Sequence, residues 1–197
     1  AAPNYEGIFI RKDLWRAGGD YSIPDSIINL LDDKYGGDAA IAPRAWLYTR
    51  FRNLYVPPDR IIGFRILHNG NSVKAPVLWG LTSEEFEIKP YLVAGRWFLP
   101  KEREAIIINE EQAKILGVNP EELNSGRTYT VSFEGGSRKI VGIVSAEVDR
   151  LFTLDGEVVT PLEYDLPFIN PWDIHVTSDY FVILPYEEVI QLGGQTA

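Results

Sequence analysis

The cleanest apolar runs in this chain of 197 residues are 105–108, 140–144 and 180–185, each the length of a strand. A membrane-spanning helix needs about 20 consecutive apolar residues, and no segment approaches that. Short apolar runs bounded by turn residues are buried as strands. Aromatic residues, at 12% of the chain with 5 Trp, 10 Tyr and 9 Phe, favour the same structure and supply large buried contacts. With 45% hydrophobic and 24% charged residues, there is apolar material for a sizeable core and too little excess charge for a disordered chain. The length allows one domain, or two small lobes sharing a chain.

Helix and turn signals interleave with these strands. A helix is expected at about 23–35: Ser22 can cap it, Pro24 and Asp25 suit its first turn, and Ile27, Leu30, Leu31 and Tyr35 line one face before Gly36-Gly37. Alternation around Leu47, Thr49 and Phe51 reads as a strand, with Pro57-Pro58 as a break. Asn69-Gly70 predicts a tight hairpin joining 61–67 to 72–78. Thr82–Glu85 can start a short helical turn, and Gly95–Pro100 reads as an ordered loop. After the strand 105–108, Asn109 and Gln112 imitate a capping box and Gly117 stops the helix; Asn119-Pro120 starts a second, shorter one. A hairpin follows, from 128–133 across Gly135-Gly136 to 138–148, and 151–154 can pair with 157–160. Segment 161–173, with Pro161, Pro167 and Pro171, reads as a packed loop. A strand at 180–184 then leads into a helix begun by Pro185 and ended by Gly193-Gly194.

Signatures of chemistry are sparse. The formal charge of −9 repels phosphate backbones, so nucleic acid is not an expected partner. Zero cysteines remove disulfides, thiolate metal sites and a cysteine nucleophile. His68 and His175 have no second histidine at metal-ligand spacing, which favours surface or structural roles. No nucleophile elbow, phosphate loop or dinucleotide fingerprint occurs. The paired acids Glu84-Glu85, Glu110-Glu111, Glu121-Glu122 and Glu187-Glu188 sit where helical first turns are expected, and the helix dipole accounts for them. Asp32-Asp33 reads as a solvated face. Asp149, Asp155, Glu157, Glu163 and Asp165 form a looser acidic region without calcium-loop spacing. No cofactor or metal is expected.

One charge asymmetry stands apart. Residues 41–68 hold five arginines (Arg44, Arg50, Arg52, Arg60 and Arg65) against Asp59 alone. With Trp46 and Tyr48 interleaved, Arg44, Arg50 and Arg52 compose a candidate docking face for a protein or an anionic ligand. The competing reading is a strand with alternate residues in a core and arginine stems covering its flank.

Four stretches together resemble the extracytoplasmic core domain of MacB/FtsX-type ABC transporter permeases. Leu92–Phe98 is similar to an "L-x-x-G-R-x-F" loop, carried by Gly95, Arg96 and Phe98. Residues 105–117 resemble a strand followed by an "A-x-x-L" helix. Residues 126–131 and 139–144, with Gly142, resemble a strand pair ending in "V-v-G-I-v", and 180–189, with Pro185, resembles a strand-to-helix element. In order and spacing the match spans about 78–190. The segment from Phe152 to Ser178 has no counterpart in the family pattern, and the pattern continues beyond the Pro185 helix.

The resemblance implies an α+β, two-lobed domain. Residues 1–80 and 149–197 would form a membrane-proximal α/β lobe, truncated or rearranged at its end, and 81–148 a small inserted α/β lobe. It implies a place on the extracytoplasmic face of the cell membrane, with the rest of the permease, a cytoplasmic ATPase and a periplasmic or extracellular accessory protein as partners, and no catalytic residues. The chain has no methionine, which fits an excised fragment whose flanking membrane helices were left out. Two alternatives stay open: a secreted binding protein for a peptide or sugar, and a carboxylate-dependent hydrolase using acids of 149–165.

Overall fold

A computed structural model describes residues 22–49, 63–152, 159–161 and 175–196. Among the described residues the first elements are α1 (Asp25–Tyr35) and β1 (Ala45–Tyr48), then β2 (Phe64–His68), β3 (Asn71–Ala75) and β4 (Val77–Leu81). There follow β5 (Leu92–Gly95), β6 (Ala105–Asn109), α2 (Glu110–Leu116), α3 (Pro120–Asn124), β7 (Tyr129–Phe133) and β8 (Gly136–Val144). β9 (Phe181–Pro185), α4 (Tyr186–Gln191) and β10 (Gln195–Thr196) complete it. The fold is α+β. The ten strands among the described residues join one sheet in the order β10-β1-β4-β9-β6-β8-β7-β2-β3, with β5 beside the far part of β8. Pairings β4–β9 and β6–β8 are parallel and the others antiparallel. The sheet curls, so that edge strand β3 comes against α2. No helix among the described residues is long and apolar enough to cross a membrane.

Local chemistry explains most of these boundaries. Asn69 and Gly70 both take positive φ, 47° and 85°, as the β2–β3 turn requires. In α2 the capping box forms in full: the Asn109 side chain accepts from the Gln112 N–H at 2.7 Å, and Gln112 Oε1 accepts from the Asn109 N–H at 3.1 Å. Gly117 ends the helix in the left-handed conformation, φ 72°. Asn119 caps α3 by accepting from the N–H of Glu121.

Several boundaries depart from the sequence expectation. The strand expected over 72–78 is two strands. Pro76 has no N–H to give a ladder, and there the chain leaves the β2–β3 hairpin and re-enters the sheet between β1 and β9. β8 stops at Val144, short of the expected 148; the Ser145 N–H makes one more bond in the β5 register, to the Tyr91 carbonyl at 2.9 Å, before the chain turns. The Ser145 hydroxyl then caps the 3-10 turn Ala146–Arg150. Thr82–Glu85 makes a turn and not a helix. α1 starts at Asp25 with extended Pro24 as its N-cap, since a residue before proline, here Ile23, is disfavoured in the helical region; the Ile23 N–H bonds instead to the Thr196 carbonyl at 2.8 Å. No residue of α1 is buried, and Ile27, Leu30 and Tyr35 are exposed.

The sheet has apolar residues on both faces. Along β4, β6 and β9, Leu78, Ile106, Ile108, Val182 and Leu184 point to one face, where Ala113, Leu116, Leu123 and Val189 of α2, α3 and α4 cover them. Trp79, Leu81, Ile107, Phe181 and Ile183 point to the other, covered by connecting segments through Ile88, Trp97, Phe98, Val148 and Val176. Alternation thus runs apolar on both sides at the centre, as a doubly covered sheet demands.

Candidate functional site

The arginine-aromatic stretch carries the strongest sequence signal. On β1, Ala45 and Leu47 face the helices, which sends Arg44, Trp46 and Tyr48 to the opposite face. There Arg44 is only 6% exposed. Its Nε and Nη2 donate to the two carboxylate oxygens of Glu85, both at 3.0 Å, and Nη2 also donates to Glu87. The same Glu85 carboxylate accepts from the N–H of Glu87 at 2.8 Å, so the cluster folds residues 85–88 into a turn beneath the sheet. The guanidinium carbon lies 5.8 Å from the Trp79 ring centroid. Burial works against the Arg44 charge, but the two carboxylates outweigh it and hold its pKa above the ordinary value.

This corrects the docking reading for Arg44, whose guanidinium is turned inward onto acids 41 and 43 residues away. It also corrects the reading of Glu84-Glu85 as a helix-dipole pair, since Glu85 is 1% exposed and bonded to Arg44. Trp46 and Tyr48 are half-buried beside this cluster, in edge-on contact at 6.4 Å. Arg50 and Arg52 lie outside the described residues.

The glycines and arginine of the Leu92–Phe98 stretch meet β8. Gly95 pairs with Gly142 in the antiparallel β5–β8 ladder. Gly95 has φ 75°, and a Cβ there would lie 2.2 Å from the Val141 carbonyl oxygen. A Cβ on Gly142 would lie 2.7 Å from Leu92 Cδ1 and 2.8 Å from the Arg96 carbonyl oxygen. Two backbones therefore approach more closely than side chains allow. Arg96 forms a two-pronged pair with Glu102, at 2.7 and 2.6 Å, and Glu102 also accepts from the Leu99 N–H at 2.8 Å. The bonds from Arg96 hold the Glu102 carboxyl below its usual range, and the same bonds raise Arg96. Phe98 and Trp97 are buried on the loop-covered face, with the Trp97 indole N–H donating to the Thr82 carbonyl at 2.9 Å. Pro185 ends β9 opposite Leu81 and caps α4.

The acids and histidines take structural partners. Asp149 accepts from the Ser178 N–H and hydroxyl at 2.7 and 2.9 Å; burial pushes its pKa up. Asp155, Glu157, Glu163 and Asp165 lie outside the described residues. Nδ1 of His68 lies 2.8 Å from the Thr130 carbonyl, and Nδ1 of His175 lies 3.0 Å from that of Thr160. Among the described residues no group of three or more His, Cys, Asp or Glu could hold a metal ion.

Sequence reasoning missed two other side chains. Besides capping α2, Gln112 donates from Nε2 to the Phe181 carbonyl at 2.9 Å. Glu188, in the first turn of α4, is buried; it accepts from the Glu104 N–H and lies 2.9 Å from Arg138 Nε. Local signals explain both residues so fully that nothing prompts a search for distant partners.

No protein-family model matches the chain, and no curated protein matches it significantly. Among solved structures, it is similar to the periplasmic region of MacB from Actinobacillus actinomycetemcomitans, with 14% identity and a TM-score of 0.54 over 92% of this chain and 64% of that one. It is also similar to the extracellular domain of the noncanonic ABC-type transporter YknZ from Gram-positive bacteria, with 13% identity and a TM-score of 0.48 over 89% of this chain and 69% of that one. The chain thus spans 64% of the MacB region's length, and that likeness shows the fold.

Proposed function

We propose that the chain is a non-enzymatic extracytoplasmic domain of an ABC transporter permease, passing motion driven by a cytoplasmic ATPase to substrate export or to an external partner. The observation that carries this reading is the fold shared with the MacB periplasmic region over 92% of the chain. The order of the sequence motifs supports it. The segments at 92–98, 105–117, 139–144 and 180–189 supply β5, β6 with α2, most of β8, and β9 with α4, which include the spine of the sheet. Fold alone does not assign function, so these motifs add a second line of support. In the same reading, 1–80 with 149–197 is the membrane-proximal lobe and 81–148 the inserted one, although the 64–75 hairpin bonds to β7 of the latter. Trp46 and Tyr48 are its candidate contacts for an accessory protein.

The test is the full-length gene product. Expected is a product that stays in the membrane fraction after an alkaline wash and co-purifies with an ATP-hydrolysing subunit. A soluble product, encoded without hydrophobic spans on either side of this segment, would overturn the proposal.

A further inference from the structure

The sheet is unevenly knitted. β4 and β9 share five register pairs, and β6 and β8 also share five. Between them β6 and β9 share a single pair, Ile107 with Ile183. Continuing that register would set Asn109 against Phe181 and Ala105 against Pro185, and neither pairing forms. At one end Pro185 has no N–H to give. Buried backbone groups still need partners, and side chains supply them. The Gln112 amide takes the Phe181 carbonyl, while Glu188 takes the Glu104 N–H.

Each end is reinforced across the same line. Gln112 also reaches the Ser178 and Asp179 carbonyls at 3.4 and 3.3 Å, and the Asn109 amide reaches Asp179 at 2.8 Å. At the other end Arg138 of β8 sits against Glu188 of α4. The Trp97 bond to the Thr82 carbonyl crosses on the loop-covered face. Beyond the strand ends, Asp149 after β8 also accepts from the Ser178 N–H and hydroxyl ahead of β9, at 2.7 and 2.9 Å. Between the two ends the side-chain contact is apolar, from Ile106, Ile108, Val182 and Leu184 on one face and Ile107 and Ile183 on the other. Apolar contact is non-directional and tolerates sliding, whereas ladder bonds fix register.

We propose that the β6–β9 junction is a compliant seam, along which the β10-β1-β4-β9 half and the β6-β8-β7-β2-β3 half of the sheet shear, with Gln112 and Glu188 as the latches at its two ends. This conformational device follows from the pairing pattern and stands whether or not the domain serves a permease.

Residue-resolved amide hydrogen exchange on the whole chain tests it, because local opening reports on such seams. In the unsubstituted protein, seam-facing amides within 106–108 and 182–184 should exchange at least tenfold faster than the β4–β9 ladder amides of 78–80. Gln112→Leu, which keeps the volume and removes both the bond to the Phe181 carbonyl and the capping bond to the Asn109 N–H, should speed seam exchange about tenfold more while leaving the β7–β8 ladder within about twofold. An Ile107→Cys, Ile183→Cys pair, once oxidised, should slow seam exchange to the ladder rate; the chain has no other cysteine to interfere. Three outcomes would overturn the proposal: seam amides as slow as ladder amides in the unsubstituted protein, a uniform speeding by Gln112→Leu, or no change on oxidation. The unsubstituted and cross-linked measurements decide the matter even if Gln112→Leu does not fold.

Discussion

The two faces of the sheet bury similar apolar residues yet are closed by different means. On one, α2, α3 and α4 lay Ala113, Leu116, Leu123 and Val189 over Ile106, Val182 and Leu184. The boundaries of α2 and α3 are fixed by neighbours in sequence: Asn109 with Gln112, Asn119 with Glu121, Gly117 after Leu116. On the other, irregular segments close the core, pinned by contacts between residues far apart: Arg44 with Glu85 and Glu87, Asp149 with Ser178, Trp97 with Thr82. Helices carry their own hydrogen bonds to a core, but an irregular covering segment must find partners for its polar groups elsewhere. The loop-covered face should therefore depend on a few buried contacts, and the helix-covered face on many small local terms.

Substitutions on each face put this contrast at risk. The largest effect is expected from Arg44→Leu, which strands the buried Glu85 and Glu87; removing one partner of a buried pair costs roughly 3–5 kcal/mol, measurable by urea denaturation. Gly95→Ala, in the β5–β8 ladder itself and on neither covering layer, comes next. The left-handed conformation alone costs about 1–2 kcal/mol for a residue with a Cβ, and the 2.2 Å approach to the Val141 carbonyl adds to it. On the helix-covered face, Asn119→Ala should remove about 1 kcal/mol by the same assay, the ordinary worth of an N-cap. If Asn119→Ala destabilised as much as Arg44→Leu, the contrast between the faces would be wrong.

The smallest effect is pH-dependent. Glu102 is held below its unfolded pKa by Arg96, so its contribution is present above the unfolded value near 4.3 and is lost as pH falls through the lower folded value. Arg96 is nearly half exposed, which limits the pair to about 1 kcal/mol or less. Glu102→Gln should thus lower stability slightly at pH 7, and the gap from the unsubstituted protein should close in acid. A gap that widened on acidification would contradict the assignment.

The same contrast decides what can be read from sequence. The α2 signal is complete within nine residues, from Asn109 to Gly117, and the Asn69-Gly70 turn is as local. Arg44 is legible as an unusual charge but not as a buried one, because nothing local marks Glu85 as its partner across 41 residues. Glu85 sits beside another acid in a stretch that could begin a helix, and that explanation suffices locally. Pro76 does carry a signal, a missing donor inside an apolar run, that divides the strand expected at 72–78. Gln112 and Glu188 show the deeper limit: local roles as cap residue and first-turn acid are real, and they conceal the bonds each makes across the sheet.

A domain with the proposed function lies outside the cell membrane. Ser132 on β7 is exposed, and the segment contains no cysteine, so Ser132→Cys in the full-length protein places one new thiol at the surface of this domain. Intact cells are treated with a membrane-impermeant maleimide, and labelling is compared with that of the protein lacking the substitution. The expected result is labelling of the new thiol in intact cells; labelling only after the cell membrane is broken would contradict the extracytoplasmic placement.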